Sequence, residues 1–144
     1  MIWKVSDFIP ERYFGFCSPE NSVATETKVF FHARDFIRLI PGEPGPILGE
    51  EVSVSGLEDQ AKGRCARRVQ RIISPTPRTG TVISYDPKKM WGFIRGGDGN
   101  DLYFHKREII GSWLPLPGKP VSFFDGTLGG RHRACWVCFG SKYV

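Results

Sequence analysis

Apolar and polar positions alternate with a period of two through residues 89–105, which read K-M-W-G-F-I-R-G-G-D-G-N-D-L-Y-F-H. Successive strand side chains point to opposite faces, so Trp91 and Phe93 share a face, with Ile94 on its reverse. Tyr103 and His105 likewise share a face, with Leu102 and Phe104 behind it. The run Gly96-Gly97-Asp98-Gly99-Asn100 between the two pairs is turn material, and the whole predicts a β-hairpin. Closing that hairpin sets four flat rings side by side and leaves an apolar reverse side to fill a core. Aromatic residues are common in strand cores; it is the alternation that assigns these four to the outer face.

The pattern occurs twice. Arg12-Tyr13-Phe14-Gly15-Phe16-Cys17, a turn at Ser18-Pro19-Glu20-Asn21, and Thr27-Lys28-Val29-Phe30-Phe31-His32 repeat it, with Gly15 answering Gly92 and His32 answering His105. The match continues beyond the hairpins. Gly49-Glu50-Glu51-Val52-Ser53-Val54 answers Gly118-Lys119-Pro120-Val121-Ser122-Phe123, and Gly63-Arg64-Cys65-Ala66-Arg67-Arg68-Val69 answers Arg131-His132-Arg133-Ala134-Cys135-Trp136-Val137. The chain reads as an internal duplication: a first domain over 1–74, a short polar join over 75–79 and a second domain over 80–144. Short runs punctuated by Gly, Pro, Asn and Asp give about five strands per copy, which fits a small closed barrel. Leu57, Ala61, Cys65, Val69 and Ile73 also fall at helical spacing; Gly63 and the repeat alignment favour a turn and a last strand there instead.

Charge separates the copies. Residues 1–74 hold ten Lys/Arg and ten Asp/Glu, residues 75–144 ten and five, so the net +5 belongs wholly to the second half. A basic half interleaved with aromatics points to a polyanionic partner. The expected setting is cytoplasmic: the N-terminus lacks a charged segment leading into an apolar run, and no stretch approaches the roughly 18 apolar residues of a membrane span. Cys17, Cys65, Cys135 and Cys138 are too few and too unevenly spaced for a disulfide scaffold. His132-x2-Cys135-x2-Cys138 has superficial metal spacing, but residues three apart on a strand point to opposite faces, so semi-buried strand cysteines are the expectation and no cofactor is expected. No nucleophile, base and orienting group stand together as an enzyme needs.

Gly80-Thr81-Val82-Ile83-Ser84-Tyr85-Asp86-Pro87-Lys88-Lys89-Met90-Trp91-Gly92-Phe93-Ile94, followed by Asp101-Leu102-Tyr103-Phe104-His105, resembles the cold-shock domain. That family is a five-stranded OB-type barrel whose second and third strands carry the ribonucleoprotein motifs K-G-F-G-F-[IV] and V-F-V-H. The resemblance spans nearly the whole chain and is stronger in the second copy. It implies an all-β protein of two tandem five-stranded antiparallel OB-fold barrels. An RNA-recognition motif uses similar words in the opposite order, with a long helix between them, and does not fit.

Departures from the family pattern fall at its edges. The family's first-strand Trp is replaced at Ile83-Ser84-Tyr85 and Ser6-Asp7-Phe8; the aromatic after the motif His is Lys106 or Ala33; Trp113 stands for a further loop aromatic, with Leu39 near the equivalent place. The implied nucleic-acid-binding residues are Lys88, Lys89, Trp91, Phe93, Arg95, Tyr103, His105, Lys106 and Trp113 in the second copy. Arg12, Phe14, Phe16, Phe30 and His32 are their counterparts in the first, and Arg107 adds to the basic strip. Stacking on such rings contributes about 1–3 kcal/mol per base and tolerates any sequence, so the expected partner is single-stranded RNA or DNA. The expected role is that of an RNA chaperone or a translational or transcriptional regulator. The alternative is a ribosome- or polymerase-associated module in which the neutral, Trp-poor first copy binds protein.

Overall fold

A computed structural model describes residues 2–20, 28–61 and 63–143; Asn21 and Thr27, read above as turn and strand start, lie outside them. The chain divides into two compact units, Met1–Pro75 and Thr76–Val144. Unit 1 contains β1 (Trp3–Ile9), β2 (Phe14–Pro19), β3 (Val29–His32), the two-residue β4 (Phe36–Ile37), β5 (Glu51–Gln60) and β6 (Gly63–Arg71). Unit 2 contains β7 (Arg78–Asp86), β8 (Trp91–Gly96), β9 (Asp101–His105), β10 (Pro120–Leu128) and β11 (Arg131–Phe139). Ser18 and Pro19 belong to β2 rather than to a turn, and Arg78 and Thr79 belong to β7 rather than to the join. The helical spacing of residues 57–73 is overridden by the hairpin of β5 and β6, whose strands pair from Val52↔Arg71 to Gln60↔Gly63.

Each unit closes on itself in the same order. Unit 2 is a closed barrel β10-β11-β9-β8-β7, with β10 returning to β7; unit 1 runs β3-β2-β1-β5-β6 and closes through β3 and β6. This is the OB-type ring of five strands. The expectation of a purely antiparallel sheet needs correction: β3 and β6 are parallel, as are β9 and β11. Closure requires it, because the third and fifth strands of this ring run in the same direction and a barrel leaves no edge on which to avoid their meeting.

The period-two pattern supplies the core. Val82, Ile94, Leu102, Phe104, Val121, Phe123, Ala134 and Val137 form one buried cluster in unit 2. Val5, Cys17, Val29, Phe31, Val52, Ala66 and Val69 are buried at the matching places in unit 1. The aromatic that ends each first strand turns inward: Tyr85 stacks on Phe104 with centroids 5.7 Å apart, and Phe8 on Phe31 at 6.1 Å. The register of β7 against β8 slips between Val82 and Ser84, and that of β1 against β2 between Val5 and Asp7. These bulges bend the first strand over the motif glycines. A Cβ on Gly92 would run into the Ser84 carbonyl and stand 2.8 Å from Tyr85 Cα; one on Gly15 would meet the Asp7 carbonyl and come within 3.1 Å of Phe8 Cα. Glycine at these two positions is what lets the strands cross so closely.

Candidate nucleic-acid interface

Strands β8 and β9 pair with Trp91 opposite His105 and Phe93 opposite Tyr103; β2 and β3 pair with Phe14 opposite His32 and Phe16 opposite Phe30. Directly opposed strand residues are near neighbours on one face, so each hairpin gathers its three large rings. In unit 2 the centroid distances are 5.7 Å for Trp91–Phe93, 5.9 Å for Trp91–Tyr103 and 6.4 Å for Phe93–Tyr103, at interplanar angles of 88°, 37° and 76°. In unit 1, Phe14–Phe16, Phe14–Phe30 and Phe16–Phe30 give 6.1, 5.3 and 5.9 Å at 88°, 35° and 73°. Two sequences that share no ring type except one Phe thus build the same triad. The rings are half-buried, with Phe93 the most open at 37% exposure; they press edges on each other and turn remaining surface outward.

The fourth ring is fixed in both units by a 3-10 turn. His105 caps the turn Lys106–Glu108, its Nδ1 accepting the Arg107 backbone N–H at 3.1 Å; His32 does the same for Arg34 at 3.1 Å. With Nδ1 used as acceptor, the neutral imidazole carries its proton on Nε2, which is then a donor. The residue before each first ring has a positive φ, Tyr13 at 58° and Met90 at 64°. Its carbonyl accepts the backbone N–H just beyond the histidine, Ala33 to Tyr13 at 2.7 Å and Lys106 to Met90 at 2.9 Å, which ties the two ends of the hairpin together. Tyr13 is the exposed aromatic beside the first triad that motif reading passed over, at 64% exposure.

The cations differ in availability. Lys88, Lys89 and Lys106 are exposed and make no ion pair with a described residue. Lys89 Nζ stands 5.9 Å from the Trp91 ring centre. Asp86 Oδ1 accepts the backbone N–H groups of Lys88 and Lys89 at 2.9 and 3.3 Å and so shapes the turn that presents them. Arg95 is bound to Asp101 at 2.9 Å, and its charge is partly answered within the hairpin. Arg12 is exposed beside the first triad. Trp113 stands apart from the rings it was grouped with: its indole N–H donates to Ile110 O at 2.8 Å, and its ring meets Phe139 at 5.9 Å. It packs against the unit 2 core.

Arg133 is the residue the motifs did not reveal. The parallel register puts it opposite Tyr103, and its guanidinium carbon lies 4.9 Å from that ring's centre. Its Nη1 is 3.3 Å from Glu108 Oε2, and Glu108 also accepts the His105 backbone N–H at 3.3 Å. The network behind the second platform is thus ring, guanidinium, carboxylate and histidine backbone. The alignment of the duplication already placed Arg133 against Cys65, but nothing in the sequence said that a ring lay across the barrel seam. His132 is exposed while Cys135 and Cys138 are buried, the latter's thiol donating to Tyr143 Oη at 3.1 Å. Among the described residues no three His, Cys, Asp or Glu side chains converge as metal ligands, and no helix is long and apolar enough to cross a membrane.

No protein-family model matches the chain, and no curated protein matches it. Solved structures similar to it include one described as drosophila Unr CSD456, at 17% identity and a TM-score of 0.41. That similarity covers 97% of this chain and 62% of the other, so the chain spans less than two thirds of that structure.

Proposed function

We propose that this chain binds single-stranded RNA or DNA without chemical turnover, stacking bases on the ring triads and meeting phosphates with the lysines around the second. The observation that carries the reading is the placement of Trp91, Phe93 and Tyr103 within 6.4 Å of one another on a hairpin whose turn presents Lys88 and Lys89. A base needs a flat apolar face and its phosphate a nearby cation; unit 2 supplies both within one hairpin. Holding bases on a protein surface keeps them from pairing, which supports a role as an RNA chaperone or a translational or transcriptional regulator in the cytoplasm.

Unit 1 has the rings without excess charge, so it adds reach to a strand already held by unit 2. Two linked sites raise apparent affinity through effective concentration. The ranking is tested by oligonucleotide titration of Trp91→Ala and Phe14→Ala. Loss of one stacked base costs about 1–3 kcal/mol, or roughly 5- to 150-fold, and the larger loss is expected for Trp91→Ala. Equal losses, or a larger one at Phe14, refute the ranking. The competing reading, in which unit 1 binds a protein of the ribosome or polymerase machinery, draws on its zero net charge and on Asp7 and Ala33, where the related platforms carry aromatics.

A further inference from the structure

The two units can be laid residue on residue at one further place, where they differ. Phe30 stands opposite Cys65 across the β3/β6 seam as Tyr103 stands opposite Arg133 across the β9/β11 seam. In unit 2 the space over the ring is filled by the Arg133 side chain, only 11% exposed and paired with Glu108. In unit 1 the same position ends at a short thiol, and a cleft of about 350 Å³ opens there, lined by Phe14, Phe16, Phe30, Gly63, Arg64 and Cys65.

The carboxylate is still present. Asp35 follows His32 by three residues as Glu108 follows His105, but it is one methylene shorter, and its Oδ2 is buried with no hydrogen-bond partner. Glu108 by contrast holds both Arg133 and the His105 backbone. Burial holds the Cys65 thiol above its ordinary value; the Arg67 charge opposes that, Asp35 and Glu58 add to it, and Arg34 opposes it. Arg34 makes no ion pair with Asp35 among the described residues, whereas its counterpart Arg107 stands beside Glu108 at 3.8 Å in addition to Arg133. Arg64, the cation on the cleft rim, is turned to Asp59 at 3.3 Å.

We infer that the unit 1 cleft is a docking site for an arginine side chain of a polypeptide partner, which would lie on Phe30 as Arg133 lies on Tyr103. The second unit displays the occupant in place: a planar guanidinium on an aromatic face with a carboxylate behind it. Arginine satisfies that geometry through its flat, forked donor set, whereas a lysine ammonium does not stack. The site uses nothing from the unit 2 platform, and its existence is independent of oligonucleotide binding there.

The test is a nuclear magnetic resonance titration of the full chain with the blocked tripeptide acetyl-Gly-Arg-Gly-amide, against acetyl-Gly-Lys-Gly-amide and a short RNA oligonucleotide. The arginine peptide is expected to shift the amides of Phe30, Gly63 and Cys65 in a saturable way, and the lysine peptide to do so several-fold more weakly. Cys65→Arg fills the cleft from within and is expected to abolish those shifts while leaving Trp91 quenching by oligonucleotide intact. Asp35→Asn keeps the cleft open and is expected to weaken the arginine peptide about tenfold, the effect of removing a charged hydrogen-bond partner. Equal shifts from both peptides, unchanged binding in Asp35→Asn, or arginine-peptide shifts that persist in Cys65→Arg overturn the assignment.

Discussion

Replacing Gly92 by alanine tests how the fold produces the platform. The added Cβ would strike the Ser84 carbonyl and stand 2.8 Å from Tyr85 Cα and 2.9 Å from the Ser84 carbonyl carbon. All three atoms are backbone, so no side chain can rotate away; β7 must lift off β8 where Ser84 pairs with Phe93 and Tyr85 with Gly92. Overpacking costs about 1–3 kcal/mol when neighbours yield, and rigid neighbours put this case at the upper end, about 3 kcal/mol. At Gly15 the first-strand Cα stands farther off, 3.1 Å to Phe8 Cα against 2.8 Å to Tyr85 Cα at Gly92, so Gly15→Ala is expected to cost about 2 kcal/mol. Gly97 is the control: a Cβ there meets only the Thr79 carbonyl at 3.9 Å, and its φ is not positive. Gly97→Ala is expected to be neutral or up to about 1 kcal/mol stabilising. A urea titration read from amide resonances of each unit separates the effects. Gly92→Ala within about 0.5 kcal/mol of the parent chain, or as well tolerated as Gly97→Ala, refutes the close-crossing argument.

Arg71 is fully buried and grips Glu50 through two bonds of 2.8 Å, with further bonds to Pro44 O and Gly45 O. Arg71→Ala strands a carboxylate and is expected to destabilise unit 1 by about 3–5 kcal/mol in denaturant unfolding; a loss below 1 kcal/mol contradicts it. Glu43 beside it titrates below its ordinary 4.5: burial alone would raise it, but hydrogen bonds from Ser74 and from the Ile40 and Leu39 N–H groups, with the Arg71 charge, bring it down. A lowered carboxyl contributes stability that is complete above its unfolded value and is lost as pH falls through the folded one. The melting temperature of unit 1 is therefore expected to drop below about pH 4.5, less steeply in Glu43→Gln. Burial, then the Glu50 charge, push the Cys17 thiol up to about 12; alkylation by iodoacetamide at pH 8 is expected to be undetectable at Cys17 until unit 1 unfolds.

The strands and the platforms were legible because both follow from a period of two. Ile94, Leu102 and Phe104 faced inward as the alternation required, and the same count put Trp91, Phe93 and Tyr103 together. What pattern cannot supply is contact across a seam between strands distant in sequence. The parallel pairing of β9 with β11, and with it the guanidinium of Arg133 over Tyr103, depends on how the barrel closes. Nor does spacing show where a loop aromatic packs: Trp113 is partly buried against the unit 2 core and meets Phe139. The pairing of Arg95 with Asp101 likewise follows from the register, which sets the two directly opposite each other.

The most direct measurement is tryptophan fluorescence during titration of the full chain with a single-stranded oligonucleotide over a series of salt concentrations. The chain has four tryptophans, and among the described residues only Trp91 lies in a ring triad, so a Trp91→Phe variant that keeps a stacking ring reports which one is quenched. The account predicts quenching by single strands, its loss in Trp91→Phe with affinity largely kept, and a log–log salt slope of about −2 for phosphates met by Lys88, Lys89 and Lys106. Quenching that persists unchanged in Trp91→Phe, binding indifferent to salt, or no binding of any single strand contradicts it.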